Sequence, residues 1–555
     1  MRREFSDVDD EIAYLTSKPL RGEVMGGAHE AADRFDRSLA TWSPVVQHVD
    51  ADVLPDRMAA EGRSRDMVRN DSFVSNSVGL HRDNIVGSLY ALNASPNVAL
   101  LRRQNSAMDE TWATEFQEEV EALFTLWAES PRCWADAAEK NSLTEMIRLA
   151  VAVYLVSGEF LMTGEWAREN SGRPFQTMVQ AVEVDRLCDP MDRPHDLQNV
   201  RGGVRFNSYG APQGYYIRRS SNGLLNYARE AWTWSYIRAF KSWGRPQVLH
   251  VLEQSRPGQT RGIGQMVSAL KEMRVTKRFR DITLQNAVVN ASFAAAIESE
   301  LPTEAVFAAM GAGEDPADAY AGYAANFLSA VSAYSGNARN LMLDGVRIPH
   351  LMPGTKLNLL PMGKPGGVGT EFEDSLLRYA AAGLGVSYEE LSKNFSKSNY
   401  SAARAATLET RKFMGSRKRI VADRTANFIY GLWLEEAMNS GSITSMPRSA
   451  PDFYEGLNRE AYSTATWIGA GQGMIDELKE TQAAILRLKS GLSTYEAELA
   501  RQGRDWRAVM AQQKREKELQ EKYGIEPQEA NAVNAASGDP REKSAAGASE
   551  GGDDE

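Results

Sequence analysis

Cysteine is almost absent from this chain of 555 residues: Cys133 and Cys188 are the only two. So few, so far apart, cannot form a disulfide framework, and the count suits a reducing compartment. Histidine is scarce as well. The six, at positions 29, 48, 81, 195, 250 and 350, include no two that are four residues apart, so there is no H-E-x-x-H pattern. No metal centre and no cofactor are expected. No run of 18 apolar residues occurs, so no transmembrane helix is predicted. The opening MRREFSDVDDEIAY has two arginines with no apolar core region behind them, unlike a secretory signal. The expectation is a protein made in the cytoplasm, or used in something assembled there, with no membrane partner.

Catalytic motifs are missing in the same way. Gly547-Ala548-Ser549-Glu550-Gly551 has the letters of a nucleophile elbow but lies in a tail with almost no large apolar side chains. The elbow needs a strand before it and a helix after it. His81-Arg82-Asp83 matches the start of a kinase catalytic loop, without the following asparagine, a D-F-G or a glycine-rich ATP loop. Gly262-Ile263-Gly264 is half a phosphate-binding turn and reads better as a helix start, and Gly363-Lys364 is followed by Pro365, which breaks any Walker pattern. Enzymatic chemistry is not expected.

What is present is an ordinary globular composition, 43% apolar and 25% charged, with a formal charge of −11. The length calls for several structural units. Helical periodicity runs from 57 to 90, and again over 105–130 and 140–160. Strand-like text follows in EFLMTGEW, FQTMVQAVEV, GVRFNSYG, GYYIRR and QVLHVLE. A long helix is expected over 263–290. Next come strand-like FAAAIES, two helices around 303–335, and a hairpin turning at Asp344-Gly345. Helices cover about 473–522. The last thirty residues, with eight acids and two bases, read as a disordered acidic tail. The fold class is α+β, mainly helical.

The segment FEDSLLRYAAAGLGVSYEELSKNFSKSNYSAARAATLETRKFMGSRKRIVADR (372–424) is the most informative. An amphipathic helix ends at Gly383-Leu384-Gly385, a polar loop follows, and a basic helix begins. Between Lys393 and Arg424 there are nine Lys or Arg and two acids. Such a patch in an acidic protein suggests contact with a polyanion at one place. Trp232, Trp234, Trp433 and Trp467 read as core anchors.

These residues carry a resemblance. RSRDMVRND…VGLHRDNIVGS (63–88), HVLEQSRPGQTRG (250–262), AAAIESEL (294–301), VRIPHLMPGTKLNL (346–359), the first part of the segment above (372–405), WLEEA (433–437) and WIGAGQGMIDELKETQAAILRLKSGLSTYEAELARQGRDW (467–506) all belong to it. Together they resemble the portal proteins of tailed bacteriophages, lambda type. The match runs from about 57 to 512.

The resemblance implies a ring, usually a dodecamer, at one capsid vertex in the virion, assembled in the host bacterial cytoplasm. Double-stranded DNA would be packaged through it by the terminase and later ejected. Implied partners are further copies of the chain, DNA read without sequence preference, the terminase large subunit, major capsid and scaffold proteins, and a head–tail completion protein. The implied layout is an N-terminal arm (1–55), wing (56–262), stem helix (263–290), clip (291–369), second stem helix (370–384), tunnel loop (385–401), long wing helix and return (402–472), helical crown (473–522) and acidic tail (523–555). The competing reading is a structural capsid or scaffold component with no conduit role.

For a conduit, Lys393 and Lys397 are the expected DNA contacts, with Asn394, Ser396, Ser398, Asn399 and Tyr400 adding hydroxyl and amide groups. Gly383 and Gly385 are the expected hinge. Lys271, Arg274 and Arg278 recur on one helix face. With Arg404 and Arg411 they serve either a basic channel stripe or ion pairs with a neighbouring subunit.

Overall fold

The computed structural model describes residues 41–42, 44–168, 172–191, 199–219, 233–293, 341–343, 346–348, 368–396, 400–473 and 476–524, with Ala325 and Leu328. The chain is a mixture of helix and antiparallel sheet. Helix α1 (Val49–Asn70) begins ahead of the expected 57 and stops at Asp71, whose carboxylate accepts from the amides of Phe73 and Val74 to cap α2 (Ser72–Ile85). The single helical stretch read over 57–90 is therefore two helices divided by a cap. Strand β1 (Ala91–Ala94) leads to α3 (Val98–Gln104), α4 (Glu110–Ala128) and α5 (Leu143–Ser157), the last opened by a Ser142–Glu145 capping box.

Helix α5 stops at Gly158, in the left-handed region at φ 79°. A Cβ there would lie 2.1 Å from the backbone of Ile263, and one on Gly264 would lie 2.1 Å from the Val156 carbonyl. Gly262-Ile263-Gly264 is thus a close-packed crossing rather than a phosphate turn. A 3₁₀ turn over Gln265–Ala269 follows it.

The strand text folds as read, but into two sheets. Strands β2 (Glu159–Trp166), β3 (Thr177–Val182) and β8 (Val248–Leu252) form one, in order β3-β2-β8. Strands β4 (Val200–Arg201), β5 (Val204–Phe206), β6 (Pro212–Arg218) and β7 (Trp234–Arg238) form the other, in sequence order. A small core with Leu161, Val182, Val204, Tyr215 and Ile217 lies between them.

Helix α6 (Leu270–Phe293) starts later than 263 and runs through Phe293, the first residue of the expected strand-like FAAAIES; the rest of that stretch lies outside the described residues. Strands β9 (Leu341–Leu343) and β10 (Val346–Ile348) pair with Leu343 opposite Val346, the register a two-residue Asp-Gly turn predicts. Of the helices read around 303–335 only Ala325 and Leu328 are described, both helical; the rest of that stretch and the acidic tail beyond Gly524 lie outside the described residues.

Helices α7 (Val368–Leu384), α8 (Tyr388–Ser392) and α9 (Tyr400–Arg417) follow. A π-helical segment (Lys418–Asp423) then leads into α10 (Arg424–Asn439). After α11 (Asn458–Tyr462), strand β11 (Ala465–Ile468) pairs antiparallel with β1, joining regions far apart in sequence. Helices α12 (Glu477–Lys489), α13 (Tyr495–Arg501) and α14 (Trp506–Tyr523) end the described chain.

The main core centres on α10. Trp433 and Tyr430 are fully buried among Phe124, Trp127, Phe175 and Trp467, with ring centroids 5.2–6.5 Å apart. Trp234, Trp433 and Trp467 are buried anchors as read, and Trp232 lies outside the described residues.

A buried ion cluster locks α1 to the sheets. Glu159 receives Arg261 Nε at 2.9 and 3.0 Å, Arg57 at 3.3 Å and His250 at 3.0 Å. Burial pushes its carboxyl pKa up, but the Arg261 charge and the His250 and Arg261 hydrogen bonds outweigh burial and hold it far below the ordinary range. Arg65 extends the cluster to Glu61 at 2.6 Å and Asp185 at 2.7 Å.

Candidate nucleic-acid interface

Helices α6 and α7 pack antiparallel. Phe279 meets Phe372 edge-to-face at 5.5 Å, and at the other end of the pair a Cβ on Gly383 would lie 2.7 Å from Ala269 Cβ. Gly383 therefore sits inside a helix at a tight crossing, where it lets two backbones approach. It is not a hinge. Gly385 has the left-handed φ of +69° that ends α7, and its missing side chain leaves room for the Phe413 ring, which a Cβ would meet at 2.4 Å. It is pinned by packing too.

The segment after Gly385 is not a free loop at first. Ser387 and Glu390 form a capping box that opens α8. Its surroundings hold it from three sides: Asn76 of α2 donates to the Glu390 carbonyl at 3.2 Å, Thr410 of α9 to the Glu390 carboxylate at 2.9 Å, and Tyr388 to Asp374 of α7 at 2.7 Å. His81 Nε2 lies 3.0 Å from the Leu384 carbonyl, and burial lowers the His81 pKa to about 4, so the ring is neutral near pH 7 and donates through Nε2. The expected loop over 385–401 therefore begins as a docked turn up to Ser392, followed by exposed residues 393–396. Its S-x-x-E signature, Ser387 to Glu390, was visible in the sequence and went unused.

Lys393 closes α8 in the left-handed region at φ 57°. It is exposed, as are Asn394, Phe395 and Ser396. Asn394 Oδ1 accepts from the Ser396 amide at 3.1 Å and hydroxyl at 2.6 Å, so two of the expected polar contacts bond each other. Lys397, Ser398 and Asn399 lie outside the described residues, and Tyr400 is the first residue of α9 rather than part of the loop. Phe395, 55% exposed between the lysines, was missed as a feature; an exposed large aromatic in a polar loop was its signal.

The remaining basic residues fall into two groups. Lys271, Arg274 and Arg278 lie on one exposed face of α6 and form no ion pair among the described residues. Their neighbours Lys277 and Arg280 turn inward, Lys277 to the Asn70 carbonyl at 2.5 Å and Arg280 to Glu373 at 3.3 Å and Asp71 at 3.5 Å. On the long helix, the two expected bases each meet a group of the chain's C-terminal part. Arg411 donates to the Gly473 carbonyl at 2.9 Å. Arg404 lies near Asp476, whose carboxyl pKa is lowered by Lys479 hydrogen bonds first and by the Arg404 charge in addition.

Arg417 bonds the Tyr154 hydroxyl at 2.8 Å and Gln265 at 2.7 Å and stacks on Phe413. In the π segment, Lys418 reaches Asp423 at 2.8 Å and the Trp467 carbonyl at 2.9 Å, and Tyr90 donates to the same Asp423. The basic run that looked like one patch is thus partly a set of internal ties. What remains outward is the α6 stripe, the turn at Lys393, and Lys412, Arg419 and Arg424, which are exposed and form no ion pair among the described residues. Such a surface can attract phosphates, and no group of metal-ligating side chains occurs among the described residues.

Comparisons agree on a family. The family model described as "Phage portal protein, lambda family" matches residues 35–418. The chain is 36% identical over 501 residues to "Portal protein" of Escherichia phage N15, covering 90% of this chain and 92% of that protein. It is likewise 36% identical over 503 residues to "Portal protein B" of Escherichia phage lambda, covering 90% and 91%. A solved chain from "Virion of native gene transfer agent (GTA) particle" aligns over 67% of this chain and 79% of its own length, at 13% identity and a TM-score of 0.30, too low to bear on the architecture.

Proposed function

Because this chain belongs to the lambda family of phage portal proteins, we propose that it forms a ring, of twelve copies, around a channel for double-stranded DNA at one capsid vertex of the virion. On this reading the terminase drives DNA inward during packaging, and the same channel releases it on ejection. Helices α6 and α7 are the two stem helices and 291–369 the clip, the platform for terminase and then for a head–tail completion protein. The residues up to the π segment and α10 complete the wing with the two sheets, α12 to α14 form the crown, and capsid and scaffold proteins meet the ring's outer face.

The observation that carries this reading is the outward basic set. Lys393 stands exposed on a turn that α2, α7 and α9 hold rigidly from behind, and Lys271, Arg274 and Arg278 form an exposed stripe on the stem. Phosphate contacts give affinity without sequence information, as a conduit requires. In a twelvefold ring Lys393 and Lys397 together supply about two dozen positive charges, each individually weak and screened within about 8 Å at physiological salt. An otherwise acidic chain repels the duplex elsewhere.

Negative-stain microscopy of the purified chain tests the proposal. Closed rings with a central hole are expected, and monomers or open sheets refute it.

A further inference from the structure

The segment that enters α1 includes an apolar run that no described residue covers. Trp42 is 69% exposed, Val45 76% and Val46 98%. The run is uncharged. It is anchored at its far end, where the Gln47 carbonyl accepts from Arg256 at 2.9 Å and Arg256 also pairs with Asp52 at 2.8 Å. His48 follows and caps α1.

Beside that anchor a groove opens between the end of β8 and the four-stranded sheet. Its volume is about 240 Å³, and Val204, Phe206, Pro212, Tyr215 and Leu252 supply its apolar walls, with His48 at its mouth. This is smaller than the pockets of roughly 300–1,000 Å³ that hold small organic ligands, and suits one or two side chains. The charges around it are already matched: Arg201 pairs with Asp50 at 3.2 Å and His250 with Glu159 at 3.0 Å. An ionic ligand gains little there, whereas an uncharged apolar segment fits. Tyr215 is 4% exposed, and its hydroxyl has no hydrogen-bond partner among the described residues, leaving it available to an inserted backbone.

We propose that this groove receives the Trp42–Val46 run of a second copy of the chain, so that neighbours exchange arms. The occupant is another copy because the Arg256–Gln47 and Arg256–Asp52 contacts fix where the run leaves its own chain, and its Trp42, Val45 and Val46 side chains stay exposed instead of lining their own groove. Five extended residues reach at most about 17 Å from that anchor, enough to cross to an adjoining subunit. The inference rests on the ring reading for its neighbour, and its test separates the two.

In a Cys133→Ser, Cys188→Ser background, chains carrying Val46→Cys alone are mixed with chains carrying Pro212→Cys alone, assembled and oxidised. The expected result is a covalent dimer on a non-reducing gel that neither chain gives by itself. Rings without that dimer overturn the arm exchange and leave the portal reading intact. A dimer without rings does the reverse. A Val46→Cys/Pro212→Cys chain that instead closes at monomer mass also overturns the exchange. As a second measurement, Trp42→Ala/Val45→Ser/Val46→Ser alters only exposed side chains, so helicity should be unchanged while the unassembled fraction in sedimentation rises several-fold; an unchanged distribution refutes the proposal.

Discussion

Replacing Arg261 by Met removes the hub of the buried ion cluster while keeping an apolar stem of similar length. Arg261 is 1% exposed. Its guanidinium donates to both Glu159 oxygens, to the Gly202 carbonyl at 2.8 Å, to the Val184 carbonyl at 2.9 Å and to the Leu187 carbonyl. Breaking a buried pair from one side costs about 3–5 kcal/mol, because the remaining charge stays desolvated. Three carbonyls also lose a donor, at about 1–3 kcal/mol for each that water cannot reach.

One effect runs the other way. The Arg261 charge lowers the pKa of Arg57, second only to burial, so its removal relieves repulsion and leaves Arg57 and His250 to hold Glu159. The net expectation is a loss of about 4 kcal/mol, centred on the junction of α1 with the sheets. Urea unfolding followed by tryptophan fluorescence, with limited proteolysis to locate the opening, measures it. A loss below about 1 kcal/mol refutes the argument. Acid titration adds an independent reading. The Glu159 pKa is depressed in the folded chain, so its contribution is complete above the unfolded value of about 4.3 and fades as pH falls toward the folded value. The stability gap between the parent and Glu159→Gln should therefore be constant from pH 7 to 5 and narrow below about 4.

Gly158→Ala should cost more than about 3 kcal/mol, since a Cβ would strike the Ile263 backbone at a left-handed position, and thermal unfolding detects this; a melting point within a degree of the parent excludes it. Glu121 is raised to about 7, by burial first, against about 4.3 unfolded, so its penalty grows as pH rises from 4.3 through 7. Glu121→Gln, which can still accept from the Ala94 amide, should raise stability at pH 8 and leave it little changed near pH 4; equal melting curves at pH 8 count against it. On the proposed function, Lys393→Ala with Lys397→Ala should leave rings intact while packaged or retained DNA falls, and undiminished packaging removes the two lysines from the channel.

What could be read from the sequence was local. Strands such as EFLMTGEW and QVLHVLE show as compact apolar text between turn residues, and the Asp344-Gly345 pair implied the register at Leu343 and Val346. Long-range pairing was not legible. Nothing local says that Glu159 receives arginines from α1 and from position 261, or that Arg417 reaches Tyr154 and Gln265. Charge type is written in the chain, whereas the partner depends on which elements pack together. The same gap explains the glycines: Gly383 and Gly385 read as flexibility because glycine permits it, yet each permits a close approach as well, and the neighbouring Ala269 and Phe413 decide between the two.

This distinction changes how the basic segment acts under the proposed function. Lys418 and Arg417 hold the π segment and the long helix onto Tyr90, Trp467, Tyr154 and Gln265, so neutralising them would disturb the fold before it altered any contact with DNA. Lys393 makes no such tie among the described residues, and the turn behind it is braced by Asn76, Thr410 and Tyr388. A loss of DNA retention in a Lys393 variant can therefore be assigned to the channel, while the same loss in an Arg417 or Lys418 variant cannot until its stability is measured. Under the proposed function, basic density along the helix is a poor guide to DNA contact, because Arg417 and Lys418 already have internal partners, whereas Lys412, Arg419, the turn at Lys393 and the α6 stripe are exposed and form no ion pair among the described residues.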